Sequence, residues 1–278
     1  RTWTEDSMTR WTSGAIGRVL FQLLVIGIFV FLLAAPSIVV YYSFSPTVAL
    51  HFPPDGFTWR WYLNVLDQPR LLNGVWQSSV IAGLATMLAL LLGVPTAYAL
   101  TRGTIRGRRT LETFFLSPLI LPGLVLGIGI LMFIVAIVQP LVDITLVGSL
   151  PPLLAAHLIV TMPWVIRTVM SSLNTTDVAI EEAARGLGAT PLQVFWLVTL
   201  PSIKPGIVAG ALFAFIVSFG NFALSLFFAS GRVTTLPVAI FEYVDRFQDP
   251  TVAAISTIVI GLTMILVLLG DRFSKIWN

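Results

Sequence analysis

The chain has 278 residues, of which 16 are Lys or Arg, 13 are Asp or Glu, and 56% are hydrophobic. Soluble domains carry roughly 25% charged residues, and at 10% this chain lacks the polar groups to cover a water-exposed globule. Charge-free stretches of 36, 31, 30, 23, 27 and 21 residues follow Arg18, Arg70, Glu112, Asp143, Lys204 and Asp249. Each is long enough for the roughly 20-residue helix that crosses a hydrocarbon core. A soluble enzyme and a single-anchor protein are excluded; the expectation is an all-α polytopic membrane protein with six transmembrane helices.

In chain order, a short segment over 1–18 precedes spans predicted at 19–43, 76–100, 112–138, 151–172, 206–230 and 251–270. The apolar run Val19–Tyr42 is longer than a signal-peptide core and no A-x-A site follows it, so an uncleaved first span is expected. Between spans one and two, Trp59, Trp61 and Tyr62 are residue types of a membrane-interface belt. The pairs Gly123/Gly127 and Gly206/Gly210 have the spacing that lets helices approach closely.

With six spans, one side holds Arg1, Arg10, Arg18, Arg102, Arg106, Arg108, Arg109, Arg167, Arg185, Lys204, Arg272 and Lys275. The other holds only Arg60, Arg70, Arg232 and Arg246. Positive charge resists translocation, which makes the richer side, with both termini, cytoplasmic. The net charge of +3 and pI near 9.6 then reflect loops facing anionic lipid, not nucleic acid. The charge-free run 186–203 resembles a seventh span, but it contains Thr190, Pro191, Gln193, Thr199, Pro201 and Ser202. Thr190-Pro191-Leu192-Gln193 reads as a helix start with a capping box and proline at the first position.

Zero cysteines exclude disulfides and thiolate chemistry. The lysines, Lys204 and Lys275, precede Pro205 and Ile276, so no G-x-x-x-x-G-K-[ST] phosphate loop exists. His157 is followed by Leu158 and forms no H-E-x-x-H site; His51 belongs to the external loop. Apart from Glu112 at the very start of the third, no Asp or Glu lies inside a predicted span, so His157 reads as a helix-packing residue without a proton-relay partner. An intramembrane enzyme would need a nucleophile–base pair or a metal cluster, and an ion-coupled secondary carrier would need ionisable groups in its spans. Both remain alternatives, disfavoured by spans whose interiors hold no acidic residue, and energy is expected from outside the chain.

The loop 173–205 carries the most specific signal. Asp177 is a helix N-cap, Glu181 and Glu182 lie in the first turn, and Gly188 is placed to reverse the chain. Glu182-Ala183-Ala184, Gly188, Val198, Leu200 and Pro201 follow the spacing E-A-A-x3-G-x9-I-x-L-P, with Val in place of Ile. In this segment the sequence resembles the permease subunits of binding-protein-dependent ABC importers. Phe57–Tyr62, Leu121-Pro122-Gly123 and the segment TLPVAIFEYV extend the resemblance to the second permease of the spermidine/putrescine type.

The resemblance implies a MetI-like fold and four kinds of neighbour: a second permease, two ATP-binding cassette subunits, an extracytoplasmic solute-binding protein and the bilayer. It implies no cofactor on this chain, with ATP and magnesium held by the ATPase partners. Coupling to the ATPase would fall on Glu181, Glu182, Ala183, Ala184, Gly188, Leu192, Phe195, Leu200 and Pro201. Small Ala183 and Ala184 allow close approach, and Leu192, Phe195 and Trp196 offer apolar surface.

For the substrate pathway, polar or helix-breaking residues in span five are the candidates: Ser218, Phe219, Asn221 and Ser225, with Trp164 in span four. Polyamine-type relatives often carry acidic residues at positions matching Gly220 and Asn221, and this chain has none there. A polyamine-like or other small organic solute is the expected cargo. Glu242, Asp245, Arg246 and Asp249 would face a docked binding protein or form a solvated rim.

Overall fold

The computed structural model describes residues 15–49, 56–230 and 233–276. Most of the 1–18 segment, with Arg1 and Arg10, lies outside the described residues, as do His51, Arg232 and the side chain of Lys275. Two compact units emerge, one formed by residues up to Val65 with Gln248–Gly261, the other by Leu66–Phe247 with the residues from Leu262.

In the first unit, α1 (Ala15–Ser43) is apolar on all sides. No residue of its most apolar stretch is buried within the chain. After α1 the chain turns into α2 (Arg60–Leu66). Trp61 is only 4% exposed, and its indole N–H donates to the Ser45 carbonyl at 2.6 Å. The interface-belt expectation therefore fails for Trp61, because this hydrogen bond and its burial make it the core of the turn. Trp59 stays exposed, edge-on to Phe44 at 4.9 Å. Asn64 Nδ2 donates to Thr251 Oγ1 at 2.8 Å, tying α2 to the start of α12 (Thr251–Ile276).

In the second unit, α3 (Pro69–Arg102), α6 (Leu150–Thr175) and α9 (Lys204–Phe219) form the central packing. Ala97, Val165, Ile166, Val169 and Ala214 close the space between them. Gly206 and Gly210 let α9 lie on α6. A Cβ on Gly206 would sit 2.5 Å from Ser172 Cβ, and one on Gly210 would sit 2.6 Å from Thr168 Oγ1. Gly123 and Gly127, on α5 (Gly123–Val142), meet Ala223 and Phe227 of α10 (Phe222–Phe228) in the same way. Both glycine pairs pack as their spacing predicts.

Spans two, three and five depart most from the sequence expectation. Span two begins seven residues earlier, at Pro69, where proline suits the first helical turn. Span three does not begin at 112. Residues Arg108–Leu116 form a separate amphipathic helix, α4, followed by a 3-10 turn over Ser117–Leu119. Pro118 and Pro122 each lack a backbone N–H, so the continuous span starts at Gly123. It passes through a π-turn at Ile134–Val138 and stops where Asp143 takes φ +52°.

Span five is broken: α9 ends at Phe219, and Asn221 starts α10 by accepting from the Leu224 N–H at 3.0 Å. Among the described residues five helices are long and apolar enough to cross a membrane, or six if a pair bent by 69° counts as one span. That pair is α8 (Pro191–Ser202) and α9; α7 (Val178–Gly186) precedes it, and α11 (Leu236–Arg246) lies between α10 and α12.

Candidate functional site

The loop between α6 and α8 is built almost entirely by local rules. Asp177 accepts from the Ala179 N–H at 2.9 Å and caps α7, satisfying a donor that the helix start leaves unpaired. At the other end, Gly188 N–H donates to Arg185 O at 2.9 Å and Ala189 N–H to Ala184 O at 3.1 Å. These two bonds make a Schellman motif, whose turning residue must be left-handed; Gly188 has φ +91°. Thr190 and Gln193 then form the reciprocal capping box of α8, with Thr190 N–H on Gln193 Oε1 at 2.8 Å. A π-turn over Phe195–Thr199 carries α8 to Ser202, and the chain bends at Ile203 into α9.

The nine coupling candidates divide by where this geometry turns them. Glu182, Ala183, Gly188, Leu192 and Pro201 are exposed, and Ala184 is half-buried. Leu187 (91% exposed), Trp196 and Leu197, which the motif does not contain, extend the exposed apolar surface. Phe195 turns inward, edge-on to Tyr98 of α3 at 5.0 Å, and Leu200 packs against the central core. Glu181 is buried and bonded to Arg102, so it presents no carboxylate to a partner. In the sequence alone Arg102 reads only as a topological charge.

The span residues fall differently. Ser218 and Ser225 are buried on either side of the break in span five, and His157 of α6 bridges them. Its Nδ1 lies 2.8 Å from Ser218 Oγ and its Nε2 3.2 Å from Ser225 Oγ. Ser225 Oγ donates to the Asn221 carbonyl at 2.6 Å, so it accepts from Nε2–H, and Nδ1 accepts from Ser218. That assignment satisfies a neutral imidazole completely.

Both serines therefore point into a contact between helices. Phe219 is buried against Phe215, while Asn221 and Trp164 stay half-exposed, Trp164 stacked on Phe213 at 5.4 Å. Ser218 lies on α9 and Ser225 on α10, so no helical spacing in the sequence pairs them with His157. On α11, Glu242 pairs with Arg70 of α3 beside an open cavity of about 170 Å³ also lined by Arg246. Among the described residues no group of three or more His, Asp or Glu side chains could hold a metal ion.

Residues 89–276 match the family described as binding-protein-dependent transport system inner membrane component, and the chain belongs to that family. It is the permease subunit of a binding-protein-dependent ABC importer and a multi-pass inner-membrane protein, not an enzyme. Among its relatives, the putrescine transport system permease protein PotI of Escherichia coli strain K12 is 34% identical over 234 residues, covering 84% of this chain and 83% of that protein. The molybdenum transport system permease protein ModB of Mycobacterium bovis is 32% identical over 233 residues, covering 81% and 86%. The fold is shared with a bacterial ABC transporter involved in import of the acidic polysaccharide alginate. That match has a TM-score of 0.68 at 18% identity and covers 94% of this chain and 98% of the other.

Proposed function

We propose that this chain forms half of a translocation pathway and draws its energy from ATP hydrolysed on partner subunits, through the α7–α8 pair. The carrying observation is that the pair is capped at both ends of α7 and at the start of α8 yet presents Leu187, Leu192, Trp196 and Leu197 to solvent. Exposed apolar side chains on a well-ordered projection suit a socket in another protein. Glu182, also exposed, supplies a charge for a basic residue at its rim. In this reading both termini are cytoplasmic, a second permease completes the pathway, two ATPase subunits hold ATP and magnesium, and a solute-binding protein docks on the opposite face.

The cargo is a small solute, polyamine-like in the first instance. PotI, named for putrescine, and ModB, named for molybdenum, differ by only 34% against 32% in identity to this chain. Selection is therefore assigned to the binding protein. The half-exposed Asn221 and Trp164 are the side chains of this chain that best suit the pathway.

Reconstituted vesicles containing the whole importer test the coupling. Gly188→Glu should leave the complex assembled but lower uptake per ATP hydrolysed at least tenfold. Gly188→Asn, whose side chain tolerates the left-handed region, should retain most of it. Unchanged uptake in Gly188→Glu would refute the proposal.

A further inference from the structure

A polar node sits where α3, α6 and α7 meet. Arg102, in the last turn of α3, directs Nε to Glu181 Oε1 at 3.1 Å. Its Nη2 donates to the carbonyls of Leu173 and Thr176 at 3.0 and 3.2 Å. The Glu181 side chain is 1% exposed and that of Arg102 is 14% exposed. Arg185 Nη2 approaches the second carboxylate oxygen at 3.7 Å.

The chemistry suits a clamp. A guanidinium offers five donors in a planar fork, so one side chain reaches three elements at once. Leu173 O and Thr176 O belong to the end of α6, where helix carbonyls lack intrahelical partners and carry partial negative charge. The cation is thus favoured by the helix end and by the carboxylate together. A lysine, with its single ammonium on a flexible stem, could not hold all three contacts in one geometry.

The two helices of the loop are attached in different ways. α8 runs through Ile203 into α9 across the 69° bend. α7 follows α6 through Thr176 and Asp177, and the node holds its first turn against α3 as well.

We infer that Arg102 and Glu181 are positioning residues for coupling, locking α7 to the ends of α3 and α6 so that a push on α7 moves those spans instead of swinging the loop. This rests on the coupling reading of α7–α8. The pair acts through the helix that carries Glu182 and Leu187, which remain the surface offered to the ATPase.

The cysteine-free sequence lets spin labels be placed at Thr104→Cys and Gly186→Cys, both exposed positions, in the reconstituted complex. The distance between them should be single, narrow and the same without nucleotide and in the ATP–vanadate trapped state. Glu181→Gln should broaden it and lower uptake per ATP hydrolysed about tenfold, with the ATPase still co-purifying. Arg102→Lys should fall between.

A distance that shifts between nucleotide states in the otherwise native complex overturns the inference, and that measurement needs no change at the node. So does Glu181→Gln with an unchanged distance distribution and uptake ratio. If Gly188→Glu uncouples and Glu181→Gln does not, the coupling reading stands and the clamp falls. If Gly188→Glu has no effect, the coupling reading itself has failed.

Discussion

His157 shows how a polar residue survives inside an apolar span without a carboxylate. Its ring is fully buried, and each nitrogen meets a serine hydroxyl on one side of the break in span five. Replacing His157 with Leu leaves two buried hydroxyls without the ring, and each orphaned polar group costs roughly 1–3 kcal/mol. Ser225 keeps its bond to the Asn221 carbonyl, so Ser218 bears most of the loss. His157→Leu should destabilise the solubilised protein by about 2 kcal/mol, read as a lower melting temperature. Adding Ser218→Ala should recover part of that loss, since the unpaired hydroxyl is then removed.

At the scale of elements, close approach governs where the spans sit. Gly210 faces Val165 and Thr168 of α6, with no room for a Cβ, whereas a side chain at Gly186 would meet open space. Gly210→Leu forces overpacking, which typically costs 1–3 kcal/mol. It should reduce the yield of folded protein in membranes, while Gly83→Ala, on α3 in open space, should be neutral. An unchanged yield for Gly210→Leu would mean that α9 does not need its contact with α6.

The elements also mark where reading by charge gaps loses resolution. A charge count over 30 residues treats Thr113–Val142 as one span, although Pro118 and Pro122 divide it. Likewise, the apolar stretch through span five conceals the start of α10. Its break depends on Asn221 turning its side chain back onto the Leu224 N–H.

At the scale of the molecule, the apolar surface requires partners. α1 buries none of its most apolar stretch within the chain, and large side chains from Val19 to Leu33 are exposed. Lipid covers such a helix as well as protein does, so its docking depends on packing and not on the hydrophobic effect. The proposed importer predicts that a tagged chain, solubilised mildly, brings down a second permease and an ATPase. Substrate transport should require that assembly and a binding protein. Full uptake by this chain purified alone would contradict the prediction.

What the sequence determined by itself is what residues a few positions apart decide. Hydropathy over about 20 residues locates spans, because each helix must satisfy its own backbone in lipid. The Asp177 cap, the Gly188 reversal and the Thr190–Gln193 box are set by bonds within five residues, so the shape of the α7–α8 loop is legible in the sequence.

The tertiary structure alone decided the polar contacts at long range. Arg102 and Glu181 are 79 residues apart, and His157 lies 61 and 68 residues from its serines. Nothing in their spacing brings them together; the packing of α3, α6 and α9 does. That packing turns Glu181 from an expected surface contact into a buried anchor, and it turns two candidate pathway serines into the partners of a histidine. Buried polar groups must find partners or forfeit their hydration, and only the folded chain determines which partners are within reach.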